Sequence, residues 1–160
     1  MSGSTQLQSR GIEPVARCLI HHLMVPDVYF EVRLPGRRER ADLLLIDMAG
    51  AGDVHVVKVR YGLDRAMAAI GSLMRFPAHY RWIACYADRI PAQARGRLRR
   101  GGGLYPSAGA GRVGVIEIDR SEQDDLTAAV LVKAERFLSP IDRDLIRAVA
   151  EEREPDIRFD

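Results

Sequence analysis

The sequence is poor in cysteine and in aromatic residues, and it has no long apolar run. Its 160 residues include two cysteines, and 6% of them are aromatic. Cys18 and Cys85 lie in apolar segments without paired spacing, which excludes a disulfide framework and a cysteine zinc site. It also predicts a reducing, cytoplasmic location. No apolar run approaches the roughly 20 residues of a membrane span, and residues 1–8 lack the apolar core of a signal peptide.

Motifs of several enzyme classes are absent as well. The glycines at 101–103 are not followed by the Lys-Ser/Thr pair of a nucleotide-binding P-loop. None of the four histidines forms the i, i+4 pair of a zinc helix, and no serine sits in a nucleophile elbow. These absences argue against a P-loop nucleotidase, a helix-borne zinc site and a hydrolase triad.

The net charge of +2 conceals an uneven distribution of charge. Of the 24 basic residues, 22 are arginine, and the two lysines are Lys58 and Lys133. Residues 1–116 carry 17 basic and 9 acidic side chains, whereas residues 117–160 carry 7 and 13. The excess of basic side chains in residues 1–116 favours an anionic partner. The alternative explanation for this excess is an arginine-rich composition without functional meaning. One basic cluster follows the turn at Pro35-Gly36 and consists of Arg37, Arg38 and Arg40.

Hydrophobic periodicity predicts one domain of mixed α/β structure. Apolar residues at helical spacing predict helices over residues 11–24 and 63–75, the second of which Pro77 ends. A short basic helix is expected over 91–100, and a closing helix after Pro140. Strands are predicted from short β-branched runs over residues 28–34, 41–47, 54–60, 80–87, 113–119 and 128–133. We expect a central sheet of about five to six strands flanked by helices, with residues 1–9 flexible.

Three residues of the first half suggest a catalytic constellation. Glu13 lies in the first helix, Asp42 opens a buried strand, and Lys58 lies at the end of the next strand. Because a short glycine-containing turn joins these strands, we expect them to pair antiparallel, with Asp42 and Lys58 at the same end. Carboxylates of this kind hold Mg²⁺, and a lysine ammonium orients water and stabilises charge on a phosphate.

This layout resembles the PD-(D/E)-x-K nuclease superfamily, which has the restriction-endonuclease-like fold. The resemblance covers roughly residues 11–120 and rests on Glu13, on Arg40-Ala-Asp42 and on Val56-Val-Lys58. It implies Mg²⁺-dependent hydrolysis of DNA with Lys58, Asp42 and Glu13 as catalytic residues, although some relatives are inactive. Residues 121–160 then form an acidic C-terminal extension.

The sequence departs from the family pattern at Val56, where an Asp or Glu is expected. The remaining metal ligands are Asp42 and, as a substitute acid at the start of the next helix, Asp64, for which a role as helix N-cap or first-turn acid is the favoured explanation. We therefore predict a nucleic-acid-binding protein with an eroded metal site and weak or absent nuclease activity. The alternatives are an active Mg²⁺-dependent endonuclease using Glu13, Asp42, Asp64 and Lys58, and a nuclease-derived module that binds protein.

A second basic segment supports the nucleic-acid prediction. Between residues 89 and 116 there are six arginines and no acidic residue. Helical spacing places Arg95 and Arg99 on one side of the basic helix, with Arg97 and Arg100 on an adjacent side. Such a cluster lies along a phosphate backbone without reading bases, so we predict DNA bound through its backbone. A solvated surface helix is the alternative.

Overall fold

The structure is a computed structural model that describes residue 6 and residues 9–24, 27–46, 52–100, 104, 111–138 and 141–158. In this part of the chain, six long strands and one two-residue strand form a mixed sheet. Helices pack on both faces of the sheet, which confirms the predicted α/β class. The expected flexibility of residues 1–9 concerns mostly positions outside the described residues.

Most elements lie within a few residues of their predicted bounds. The helices are α1 (Ile12–Leu23), α2 (Leu63–Ala68), α3 (Ile70–Arg75), α4 (Ala92–Arg99) and α5 (Arg143–Glu152). The strands are β1 (Asp27–Arg33), β2 (Arg40–Ile46), β3 (Val54–Val59), β4 (Tyr80–Tyr86), β5 (Gly114–Arg120), β6 (Leu126–Val132) and β7 (Ile157–Arg158). None of the described helices is long and apolar enough to cross a bilayer.

The sheet combines an antiparallel half with a parallel half. Its strand order is β6-β5-β4-β3-β2-β1-β7. Strands β1, β2 and β3 form an antiparallel meander, whereas β3, β4 and β5 are parallel. Helices α2 and α3 connect β3 to β4, and α4 connects β4 to β5. The carboxyl ends of the three parallel strands therefore meet at one edge, where open α/β sheets bind their ligands.

Each face of the sheet has its own hydrophobic core. On one face, Val15 and Leu19 of α1 are fully buried and pack in a cluster with Leu45 of β2. On the other face, Leu44 of β2 packs in a cluster with Leu73 of α3. Because successive side chains of a strand point to opposite faces, the continuously apolar β2 serves both cores. This double burial confirms that β2 is a central strand.

The helix predicted over residues 63–75 is interrupted at Ala69. The amide of Ala69 donates to the carbonyl oxygens of both Arg65 and Ala66, at 3.1 Å each, which tightens the turn. A Gly-Ser pair ending at Ser72 follows directly, and such pairs bend helices. The region is therefore two short helices, and Ser72 lies on the second, α3.

The acidic C-terminal segment is part of the same sheet. Strand β6 pairs along β5, and the Asp142 carboxylate caps α5 by accepting a hydrogen bond from the amide of Leu145 at 3.1 Å. Strand β7 pairs with β1, and the Asp156 carboxylate accepts from the amide of Phe30 at 2.7 Å. The sequence did not predict β7, because two residues are too few to show a strand period.

Candidate functional site

Asp42 and Lys58 lie side by side at one end of the β2–β3 hairpin. The two strands pair antiparallel, and the last pair at this end is Leu43 with Val57. Asp42 and Lys58 are the next residues on each strand, so the register places them next to each other. The hairpin geometry expected from the short turn is therefore present. The two residues also lie at the edge formed by the carboxyl ends of the parallel strands.

The Asp42 carboxylate is buried and already bonded to the protein. Its side chain is 5% exposed, and Oδ2 accepts hydrogen bonds from the amide of Val59 at 2.7 Å and from Arg60 Nη1 at 2.8 Å. The same Arg60 nitrogen donates to the carbonyl oxygen of Val59 at 2.7 Å. Arg40 Nη2 lies 3.9 Å from Oδ1. The counter-charge of Asp42 is thus the Arg60 guanidinium.

The Lys58 ammonium lies in a cationic environment. Lys58 is 7% exposed, and its Nζ donates to Ser72 Oγ of α3 at 2.9 Å. Burial lowers the pKa of Lys58, the charge of Arg60 lowers it further, and the charge of Asp42 opposes both. More distant contributions of Arg40 and Arg75 also lower the pKa of Lys58. Positive charge therefore exceeds negative charge around the Lys58 amine.

The other two predicted acids, Glu13 and Asp64, lie on helices α1 and α2. Glu13 is on α1, which packs on the opposite face of the sheet from α3, and it pairs with Arg17 Nη2 at 2.8 Å. Asp64 lies in the first turn of α2 with an exposed side chain. Across the described residues, no three His, Cys, Asp or Glu side chains are placed to hold a metal ion.

Val56, where the nuclease resemblance leads one to expect a carboxylate, has a basic neighbour. Val56 is fully buried, and its register partner on β4 is Arg81. Arg81 is 2% exposed, and it donates to the carbonyl oxygens of Leu73 at 3.2 Å and Phe76 at 2.9 Å, at the end of α3. Burial lowers the pKa of Arg81 to about 10.

These contacts do not fit a bound Mg²⁺. Magnesium requires oxygen ligands in near-octahedral geometry, usually including one or two carboxylates. The Oδ2 atom of Asp42 already accepts two hydrogen bonds, and Val56 supplies no oxygen. The neighbouring charges of Arg60 and Lys58 repel a divalent cation.

Helix α4 presents three of its four predicted arginines to solvent. Arg97, Arg99 and Arg100 are exposed, with Arg100 as the residue that ends the helix. Arg95 instead turns toward the sheet, where its Nη2 donates to Glu117 Oε1 of β5 at 2.7 Å. Glu117 is 6% exposed. Arg95 is therefore committed to a partly buried ion pair, and the 22-residue separation of its partners leaves no pattern in the sequence.

A further basic surface lies beside the Asp42–Lys58 pair. The segment 34–40 connects β1 to β2, and we call it the basic hairpin. Its exposed arginines are Arg37, Arg38 and Arg40. Arg37 Nη1 donates to the carbonyl oxygen of Arg75 at 3.4 Å, and Arg75 Nε lies 3.0 Å from Glu39 Oε1. The arginine cluster was visible in the sequence, but its contact with the end of α3 was not.

Comparison with known proteins yields a fold relationship. No protein-family model matches the chain, and no curated protein matches it. The solved structure of SPO1766, a protein of unknown function from Silicibacter pomeroyi, is similar, with a TM-score of 0.51 and 18% sequence identity. The match covers 87% of this chain and 80% of that one. At this identity the similarity shows a shared fold.

Proposed function

We propose that the protein binds nucleic acid through its phosphate backbone, on a restriction-endonuclease-like fold with weak or absent nuclease activity. The observation that carries this proposal is the 2.8 Å contact between Arg60 and Asp42. A side-chain cation faces the carboxylate that would otherwise bind a metal, and Lys58 remains beside it. The site attracts phosphate without supplying the free carboxylates that metal-dependent hydrolysis requires.

Electrostatics and topology both support the proposal. Lys58, Arg60 and Arg40 surround one carboxylate, so a phosphodiester gains attraction from a net positive site. Asp42 orients Arg60 by accepting from the same nitrogen that donates to the Val59 carbonyl. A leading helix, an antiparallel meander and a helical crossover to a parallel strand follow in the order that the family resemblance implies.

The exposed arginines of α4 extend the proposed interface. Arg97, Arg99 and Arg100 supply backbone contacts that do not depend on base sequence. We propose the same cytoplasmic location that the cysteine content predicts, and Cys18 and Cys85 are both free thiols.

Fluorescence anisotropy with labelled single-stranded and duplex DNA tests binding, in the presence of Mg²⁺ or of EDTA. We expect the affinity to fall as salt rises from about 50 to 200 mM and to be equal with Mg²⁺ and with EDTA. Lys58→Ala should weaken binding about three- to tenfold, because one phosphate contact is lost. Lys133→Ala removes the other lysine of the chain and is the matched control, with no expected change.

A plasmid cleavage assay completes the test. We expect no Mg²⁺- or Mn²⁺-dependent cleavage. Robust cleavage that Lys58→Ala abolishes would contradict the proposal and favour an active endonuclease with Asp42, Glu13 and Asp64 as acids. Absence of binding to any nucleic acid at low salt would instead favour a module that contacts protein.

A further inference from the structure

The basic hairpin and the end of α3 form one connected surface. The Arg37 guanidinium donates to the carbonyl oxygen of Arg75, and the Arg75 guanidinium pairs with Glu39. Two contacts in opposite directions thus hold the hairpin against the helix. The hairpin runs directly into β2, whose third residue is Asp42. Basic side chains from two distant parts of the sequence therefore meet beside the Asp42–Lys58 pair.

The surface carries a large excess of positive charge. Its cationic residues are Arg37, Arg38, Arg40, Lys58, Arg60 and Arg75. Its carboxylates are Glu39 and Asp42, each of which pairs with an arginine. Six cations against two carboxylates leave a net charge of about +4, enough to neutralise about four phosphates.

The arginines of this surface are also accessible to a ligand. The side chains of Arg40 and Arg75 are 48% and 65% exposed. Both of them, like Arg60, act electrostatically on Lys58. A phosphate near the Lys58 amine is therefore within reach of their charges as well. In helix α4, in contrast, the Arg95 side chain pairs with Glu117 and is less available to a ligand.

We infer that the basic hairpin, with Arg75 and the Asp42–Lys58 pair, is the principal surface on which the nucleic-acid backbone lies. The inference rests on the proposed function and goes beyond it by ranking this surface above α4. The backbone passes the exposed tip at Arg37 and Arg38 and ends at Lys58. The arginines of α4 contribute secondary contacts.

Two matched double variants test the ranking. Arg37→Ser with Arg38→Ser removes adjacent exposed arginines from the basic hairpin, and Arg99→Ser with Arg100→Ser removes an adjacent exposed pair at the end of α4. For duplex DNA, losing two phosphate contacts reduces the slope of log Kobs against log salt by about 1.8. We expect this reduction, and a loss of affinity of about tenfold or more, for the hairpin variant. The α4 variant should lose less than half as much.

An additional variant separates charge from folding. Arg37→Lys with Arg38→Lys keeps both charges and should keep the wild-type salt slope, whereas a merely structural role would make it behave like the serine variant. Equal or greater loss in the α4 variant would overturn the inference, as would an unchanged hairpin variant. Those outcomes leave wild-type binding intact and differ from a failure of the proposed function, in which the wild type itself does not bind.

Discussion

Asp42 accepts hydrogen bonds from one amide and one guanidinium. Its charge is therefore neutralised by a side chain of the protein, whereas the charge of a metal ligand is neutralised by the metal ion. The Val59 amide fixes the carboxylate to β3, and Arg60 neutralises it. In a metal site, loss of the carboxylate charge removes the metal and the function with it. In a site built on side-chain cations, the same loss leaves the cations unopposed.

Asp42→Asn should therefore bind DNA at least as tightly as the wild type. The amide oxygen still accepts from Val59, while Arg60 loses its counter-charge and becomes available to phosphate. We expect a gain in affinity of about two- to fivefold at low salt, measured by anisotropy, and a free energy of unfolding lower by about 1–3 kcal/mol. Asp64→Asn makes the same change of charge on the exposed start of α2 and is the control. A folded Asp42→Asn protein that no longer binds would point to a metal site.

Helix α3 is too short to be stable alone, and a buried arginine completes its C-terminal end. Arg81 donates to carbonyl oxygens at this end, and its guanidinium lies 4.6 Å from the centroid of the Phe137 ring. The helix has six residues, and at its end the Leu73 carbonyl also accepts a hydrogen bond from the amide of Phe76 at 3.2 Å. Because α3 also carries Ser72, the arginine holds in place the helix to which Lys58 is bonded.

Arg81→Met should lower the free energy of unfolding by about 2–4 kcal/mol, because it removes the guanidinium donor of the Phe76 carbonyl and one of the two donors of the Leu73 carbonyl. Urea denaturation followed by circular dichroism measures this loss. Arg65→Met on the exposed face of α2 is the matched control, with an expected change within about 0.5 kcal/mol. A loss for Arg81→Met no larger than for the control would show that these carbonyls do not depend on Arg81.

Two buried histidines lie at the start of the parallel strands. His55 Nδ1 accepts from Trp82 Nε1 at 3.3 Å, and His79 Nδ1 accepts from the amide of Val54 at 2.9 Å. Burial lowers the pKa of His55 to about 4, although the charge of Asp53 opposes this shift. Burial also lowers the pKa of His79. Both rings are therefore neutral acceptors in the folded protein at pH 7.

Acidification should destabilise the fold between about pH 6.5 and pH 4. In this window the unfolded chain binds a proton at His55 and the folded chain does not, so stability falls as pH falls. The loss for His55 approaches about 3 kcal/mol near pH 4. Urea denaturation at several pH values measures it. His55→Gln should be less stable than wild type at neutral pH but show a flatter pH profile, and an equally steep profile would assign the effect to other groups.

Local patterns predicted most of the fold, and long-range contacts account for what they missed. The helical period of Val15 and Leu19 located α1, and the continuous apolar run of β2 marked a central strand. The break at Ala69 depends on a shared hydrogen bond, and β7 on pairing with a strand more than 100 residues earlier. Neither feature leaves a period in the sequence.

The part of the candidate site that depends on the β2–β3 turn could be predicted from the sequence. The short β2–β3 connection placed Asp42 beside Lys58, but nothing in the sequence specified which arginine pairs with Asp42. Strand geometry selected Arg60, at 2.8 Å. The pairing of Arg95 with Glu117 requires the β4–α4–β5 crossover, which places residues 22 positions apart in contact. Family membership stays a prediction.

The pairing of β7 with β1 has a consequence for synthesis of the protein. Phe30 and its acceptor Asp156 are 126 residues apart. At roughly 5–20 residues per second, a ribosome needs about 6 to 25 s to make the intervening chain. During that time the outer edge of β1 has no strand beside it, and an unpaired edge recruits strands of other nascent chains.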